Sequence, residues 1–242
     1  MALDFGDFSL DRALLEVRYD FAFPMWDRSG LVGDALRSTF GPLELREANP
    51  SKIQAEVRES LMCTVENEKS VITEHNPEGR FEDFRVISAD FVDIVRDIFE
   101  IDTYVRAGAR LFYMNHFDDK RTASNEISES NVIEVPNTEG PNFDVSGPIN
   151  EVNYSYRYEG EGKGVSVSMK TVSKELSAKP PIQVRHWEGL NNAEMNAQRV
   201  GLQLDIDRYT TSPTNSDSFG ADRWLEDTRR FIRRDISPFL HT

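Results

Sequence analysis

The chain has 242 residues, 38% of them hydrophobic and 29% charged, and 42 acidic against 28 basic side chains leave a formal net charge of −14. That is enough apolar matter for one sizeable core or two small ones and excludes disorder throughout, while the acidity disfavours nonspecific nucleic-acid binding and suits a basic partner. The single cysteine, Cys63, excludes an internal disulfide or a multi-cysteine zinc site, and no run approaches the roughly 18 apolar residues of a membrane helix. With an acidic N-terminus unlike a secretory signal, the expectation is a soluble cytoplasmic protein that does not engage a membrane.

The first eleven residues interleave Leu3, Phe5, Phe8 and Leu10 with Asp4, Asp7 and Asp11. Such an arm docks its aromatics, Phe5 and Phe8, on the chain's own body or on a partner. From Leu15 alternation sets in, with Leu15, Val17, Tyr19, Phe21 and Phe23 on one side and Glu16, Arg18 and Asp20 on the other, which predicts a half-buried strand ended by Pro24. Residues 28–40 carry Leu31, Val32, Ala35, Leu36 and Phe40 at helical spacing, closed by Gly41-Pro42. Runs at 43–48, 53–66 and 69–75 predict a meander of antiparallel strands. Ser88 is a candidate cap for a helix at 88–100 with Phe91, Ile94, Val95, Ile98 and Phe99 as its buried stripe. Residues 103–117 are the longest strand candidate; their second half is apolar on both sides, which places them centrally in a sheet.

From Asp118 to Ile149 periodicity vanishes and prolines punctuate an acidic stretch, predicting a linker or excursion whose Glu126, Glu129, Glu134 and Glu139 are candidate contacts for a basic partner. A hairpin follows, with Val152, Tyr154, Tyr156 and Tyr158 alternating before a Gly160-Glu161-Gly162 turn and Val165, Val167 and Met169 after it. A strand at 199–210 and an amphipathic helix at 218–235 complete the chain. The expected architecture is α+β: antiparallel sheet from two β-rich halves, residues 1–117 and 150–242, joined by 118–149 and packed by three amphipathic helices. Glu16-Val17-Arg18-Tyr19 and Glu151-Val152-Asn153-Tyr154 share a pattern at the heads of these halves and hint at internal duplication.

The opening Leu15-Glu16-Val17-Arg18-Tyr19, the central Leu111-Phe112-Tyr113-Met114-Asn115-His116, the late Leu204-Asp205-Ile206-Asp207 and the closing helix, taken in order, resemble a sporadically distributed family of uncharacterised bacterial proteins of about this length. The resemblance covers nearly the whole chain and rests on the order of the motifs. It implies no established activity. It implies a bacterial or phage origin and the company of mobile defence, toxin-neutralising or accessory genes.

Asp205 and Asp207, at i and i+2 on a strand, project from one face about 7 Å apart, near enough to share a divalent cation with a third ligand from a neighbouring strand. The plainer role for such a pair is a solvated outer face. His116 ends the central strand and is a candidate general base, although Asn115 beside it faces the other way. Cys63 lies among apolar residues and reads as a buried hydrophobe; Gly160-x-Gly162-x-Gly164 reads as a turn. The arginines at 229, 230, 233 and 234 read as partners for acids on their own helix. With no coherent catalytic motif, the expected function is a non-catalytic, cofactor-free protein-binding component of immunity, antitoxin or defence-accessory type, acting through an acidic surface. The alternative is a divalent-metal-dependent hydrolase or nucleotide-processing enzyme using Asp205, Asp207 and His116. A homo-oligomer is left open.

Overall fold

The computed structural model describes residues 3–77, 79–130, 153–178 and 195–240. In chain order the elements are β1 (Ser9–Arg18), α1 (Met25–Phe40), β2 (Glu44–Asn49), β3 (Lys52–Arg58), β4 (Leu61–Glu66), β5 (Lys69–His75), α2 (Phe81–Phe99), β6 (Thr103–Tyr104), β7 (Arg106–Phe117), α3 (Lys120–Glu129), β8 (Asn153–Gly160), β9 (Lys163–Ala178), β10 (Met195–Thr210), β11 (Thr214–Asn215), α4 (Ala221–Phe231) and α5 (Ser237–Leu240). The fold is α+β. Nine strands form one antiparallel sheet in the order β2-β3-β4-β5-β1-β7-β10-β9-β8, and β6 with β11 makes a two-residue ribbon.

The connectivity repeats. A strand, a helix, a meander whose last strand pairs with the first, and a second helix describe β1-α1-(β2-β5)-α2, and again β7-α3-(β8-β10)-α4. The two opening strands pair antiparallel at the centre, Leu15 opposite Ala109 and Val17 opposite Ala107. The counterpart of β1 is therefore β7, and the second repeat opens at Arg106, so that β7 falls on the far side of the division drawn at residue 117. The Glu16–Tyr19 match with 151–154 does not report this relation: Glu151 and Val152 lie outside the described residues, and Asn153 and Tyr154 open β8, at the end of the sheet order.

All four longer helices pack on one face. Arg28 of α1 donates to the Ile98 carbonyl of α2 at 2.7 Å, Arg85 of α2 pairs with Glu226 of α4 at 2.7 Å, and Ser124 of α3 meets Thr171 of β9 at 3.1 Å. Beneath them lies one core: Leu15, Val17, Ile72, Leu111, Leu204, Ile206 and Met169 from the sheet, with Leu36, Phe84, Phe91, Val95 and Leu225 from the helices. Residues that alternate inward on β7 meet these helices, while Phe112 and Met114, pointing the other way, are also buried, as the doubly apolar second half of that strand requires. Arg229 and Arg230 pair with Glu82 and Glu226, and Arg234 with Asp235, so the basic cluster is largely consumed by ion pairs, one of them to α2.

Several boundaries differ from the sequence expectation, each for a local reason. β1 stops at Arg18, because the Tyr19 and Ala22 amides turn away to the Glu68 and Asn67 carbonyls, and Pro24 opens α1, where its missing N–H costs nothing. The run 53–66 is two strands joined at Glu59-Ser60. α2 begins at Phe81, seven residues before Ser88, whose buried hydroxyl donates to the Phe84 carbonyl inside the helix. The expected excursion is corrected at its start: Asp119 caps α3 through the Thr122 amide at 2.8 Å, and Ala123 and Ile127 are fully buried. The final helix passes through a π turn at Ile232–Ile236 into α5. The N-terminal arm docks on its own body: Leu3 and Phe8 are buried, and the Phe5 ring lies 5.0 Å from that of Tyr113.

Candidate functional site

Even-numbered residues of β7 and odd-numbered residues of β10 face away from the helices. Antiparallel register sets Asp207 opposite Arg110 and Asp205 opposite Phe112, so arginines of one strand reach carboxylates of the next diagonally. Arg110 grips Asp205 with two hydrogen bonds, Nε at 2.8 Å and Nη2 at 2.5 Å. Arg106 bridges Asp207 at 2.7 Å and Glu16 of β1 at 2.9 Å, and Glu16 also accepts from Arg18 at 2.7 Å. Aromatic rings carry the guanidiniums: Arg12 and Arg110 lie 3.9 and 4.9 Å from the centre of Phe112, and Arg106 lies 4.6 Å from that of Tyr209. Asp205 is only 6% exposed. The pair therefore does not decorate a wet face; it is folded into a cross-strand network.

The electrostatics follow from this burial. Desolvation raises the Asp207 carboxyl above its ordinary range even though Arg106 and Arg110 pull it down, and the hydrogen bond that Arg110 donates to Asp205 is the first cause that raises Arg110. On the helix face, burial lowers Arg208, which stacks 4.5 Å from the Trp224 ring centre and donates to Thr228. A cation at Asp205 and Asp207 would have to displace two guanidiniums. His116 shares their face but sits opposite Gly201, four residues along from the Phe112–Asp205 pair, roughly 13 Å at strand rise, and is exposed at the strand end. Among the described residues no group of three or more His, Cys, Asp or Glu is placed to hold a metal ion. The structure thus brings Asp205 and Asp207 together with arginines and leaves His116 apart.

The partner-contact candidates fare differently. Phe8 is buried and Phe5 is packed between Phe8 and Tyr113, so the arm's aromatics are spent on the chain itself. Glu126 is half-buried on α3, Glu129 ends that helix, and Glu134 and Glu139 lie outside the described residues.

The β1–α1 junction carries a second surface. At the β1–α1 junction Phe21, Phe23 and Trp26 are 38%, 67% and 57% exposed and touch only edge-on, with ring centres 4.8 Å apart for Phe21–Phe23 and 6.2 Å for each ring to Trp26. Leu31, further along α1, is also exposed. The loop that carries it is pinned: Ala22 donates to Asn67, Tyr19 donates to Glu68, and the Tyr19 hydroxyl reaches the Glu66 carbonyl at 2.8 Å. On one side of Phe21 lies a cleft of about 510 Å³ lined by Arg18, Asp20, Glu66, Glu68, Lys69 and Val105, and on the other a cleft of about 380 Å³ lined by Phe23, Glu100, Asp102 and again Asp20. Three large apolar side chains held in water by a fixed loop form an unusual surface unless something covers it. Alternation alone could not reveal this, since inward and outward aromatics give the same period.

Compared by sequence, the chain matches no protein-family model and no curated protein.

Proposed function

We propose that this chain is a non-catalytic protein-binding component, acting on a basic protein partner through an acidic surface. The observation that carries the reading is the exposed cluster of Phe21, Phe23 and Trp26 set among acidic side chains on a chain of net charge −14. Rigid exposed aromatics at the centre and charge at the rim are the composition of a protein interface, and the pinned loop reduces the ordering cost of binding. An immunity, antitoxin or defence-accessory role, the kind that the family resemblance implies, belongs to this class and is part of the proposal. The divalent-metal enzyme is the weaker reading, because Arg110 and Arg106 already neutralise the carboxylates it needs.

The test is quantitative capture with the full chain as bait, wild type beside a Phe23→Ala/Trp26→Ala variant, with thermal melting in magnesium and manganese alongside. The expected result is a stoichiometric partner lost by the aromatic variant, with no cation-dependent rise in Tm. A magnesium- or manganese-dependent stabilisation that Asp205→Asn/Asp207→Asn removes would replace this reading with the enzymatic one.

A further inference from the structure

We propose that the β1–α1 aromatic cluster and its flanking clefts are the docking site for an arginine-bearing segment of the protein partner. The inference rests on the binding reading above and adds to it the place and the chemistry. Asp20 lines both clefts, Glu68 one and Asp102 the other, and none of the three has an ion-pair partner among the described residues. Glu66 and Glu100, which line the same clefts, are already paired with Lys69 and Arg28. Unspent negative charge therefore lies beside unspent aromatic surface.

A guanidinium satisfies both. Its plane stacks on an indole or phenyl face while its fork donates two parallel hydrogen bonds to a carboxylate, as Arg110 does inside this protein between Phe112 and Asp205. Lysine offers only a strongly hydrated point charge and stacks less well. The same acids repel phosphate, so neither a nucleic acid nor an anionic membrane complements this surface. Pinning of the loop at Asn67 and Glu68 means that the rings need no rearrangement before contact.

The experiment measures fluorescence anisotropy of a labelled, arginine-rich synthetic peptide titrated with the full chain at near-physiological salt, with a lysine-for-arginine peptide and phosphatidylcholine vesicles as parallel probes. Trp26→Ala and Asp20→Asn/Glu68→Gln are each expected to weaken the arginine peptide at least tenfold. A control with the same charge change at exposed positions of the second repeat, Asp118→Asn/Glu161→Gln, is expected to stay within twofold, and the lysine peptide to bind several-fold more weakly. Equal losses in the control, or no loss in the Trp26 variant, would reduce the binding to general charge attraction and overturn the inference. Trp26-dependent binding to the neutral vesicles without Trp26-dependent peptide binding would overturn it in favour of a lipid surface. A partner captured through Trp26 but not displaced by the arginine peptide would overturn this inference alone and leave the binding function standing.

Discussion

Asp205 illustrates what a strand pattern shows and what it hides. Its i, i+2 relation to Asp207 and their common face were legible in the alternation of β10, but the partner, Arg110, is 95 residues away and enters only through sheet pairing. A solvated carboxylate would tolerate Asn within about 0.5 kcal/mol. Here Asp205→Asn strips a two-point ion pair from a shielded acceptor while leaving the half-exposed Arg110 charge, and a loss of about 1–2 kcal/mol is expected in the urea midpoint. A change below 0.5 kcal/mol would mean that the network contributes nothing. Tyr104 behaves oppositely: it is fully buried and its hydroxyl has no hydrogen-bond partner among the described residues. Tyr104→Phe should therefore stabilise the fold, by about 1 kcal/mol in the same measurement.

The buried acids also set an alkaline limit. Burial pushes the Cys63 thiol up to about 12 and drives the Tyr19, Tyr104 and Tyr154 hydroxyls above their ordinary range. The unfolded chain loses these protons at ordinary values while the native state keeps them, so stability is fully present below about pH 9 and falls as pH rises. The slope for each group approaches about 1.4 kcal/mol per pH unit. Urea unfolding followed from neutral to alkaline pH should show the decline, and Cys63 should resist alkylation at about pH 8 until the chain is unfolded. A thiol that reacts in the native state would contradict its burial.

At the level of elements, strong periodicity was read correctly and weak periodicity was lost. Leu15 and Val17 fixed β1, and Phe91, Val95 and Phe99 fixed α2, yet the same stripe continues backward through Ser88 and Phe84 to Phe81, where the polar Ser88 masked it. Among its described side chains α3 presents two hydrophobic residues to the core, Ala123 and Ile127, too few to stand out among polar residues, although the Asp119–Thr122 capping pair is a local signal of its start. The β8–β9–β10 region carries a device visible only in three dimensions. The Tyr209 ring lies flat over Gly164 of the paired strand, where an added Cβ would sit 2.5 Å from the ring, and the Tyr209 hydroxyl donates to Glu159 and accepts from Arg157. Gly164→Ala should push the ring off its seat and cost about 1–3 kcal/mol. The denaturation midpoint and the near-ultraviolet tyrosine signal should both change, and an unaltered tyrosine signal would show that the ring is not held there.

For the molecule as a whole, the succession of period-two and helical runs predicts the α+β class, and the repeat in connectivity opens at β1 and β7 rather than at the matching segments 16–19 and 151–154. Short strand motifs recur by chance, whereas the evidence for two related halves lies in connectivity and in the pairing of β1 with β7. The aromatic patch at the β1–α1 junction is not legible in the sequence, because only tertiary packing distinguishes a core phenylalanine from one left in water.

That central pairing bears on how the chain reaches its fold. β1 finds β5 roughly 50 to 60 residues away, but β7 must wait for β10, roughly 80 to 100 residues further on, so the first repeat closes over a shorter loop than the second. Such non-local pairing places folding in the slow range of milliseconds to seconds, with the first repeat expected to assemble ahead. During synthesis the first repeat also emerges before β7. In that interval β1 offers an unpaired hydrogen-bonding edge, and a second nascent chain presents the same edge in the same state. The window for misassembly lies there, and it closes when β7 arrives to occupy the edge.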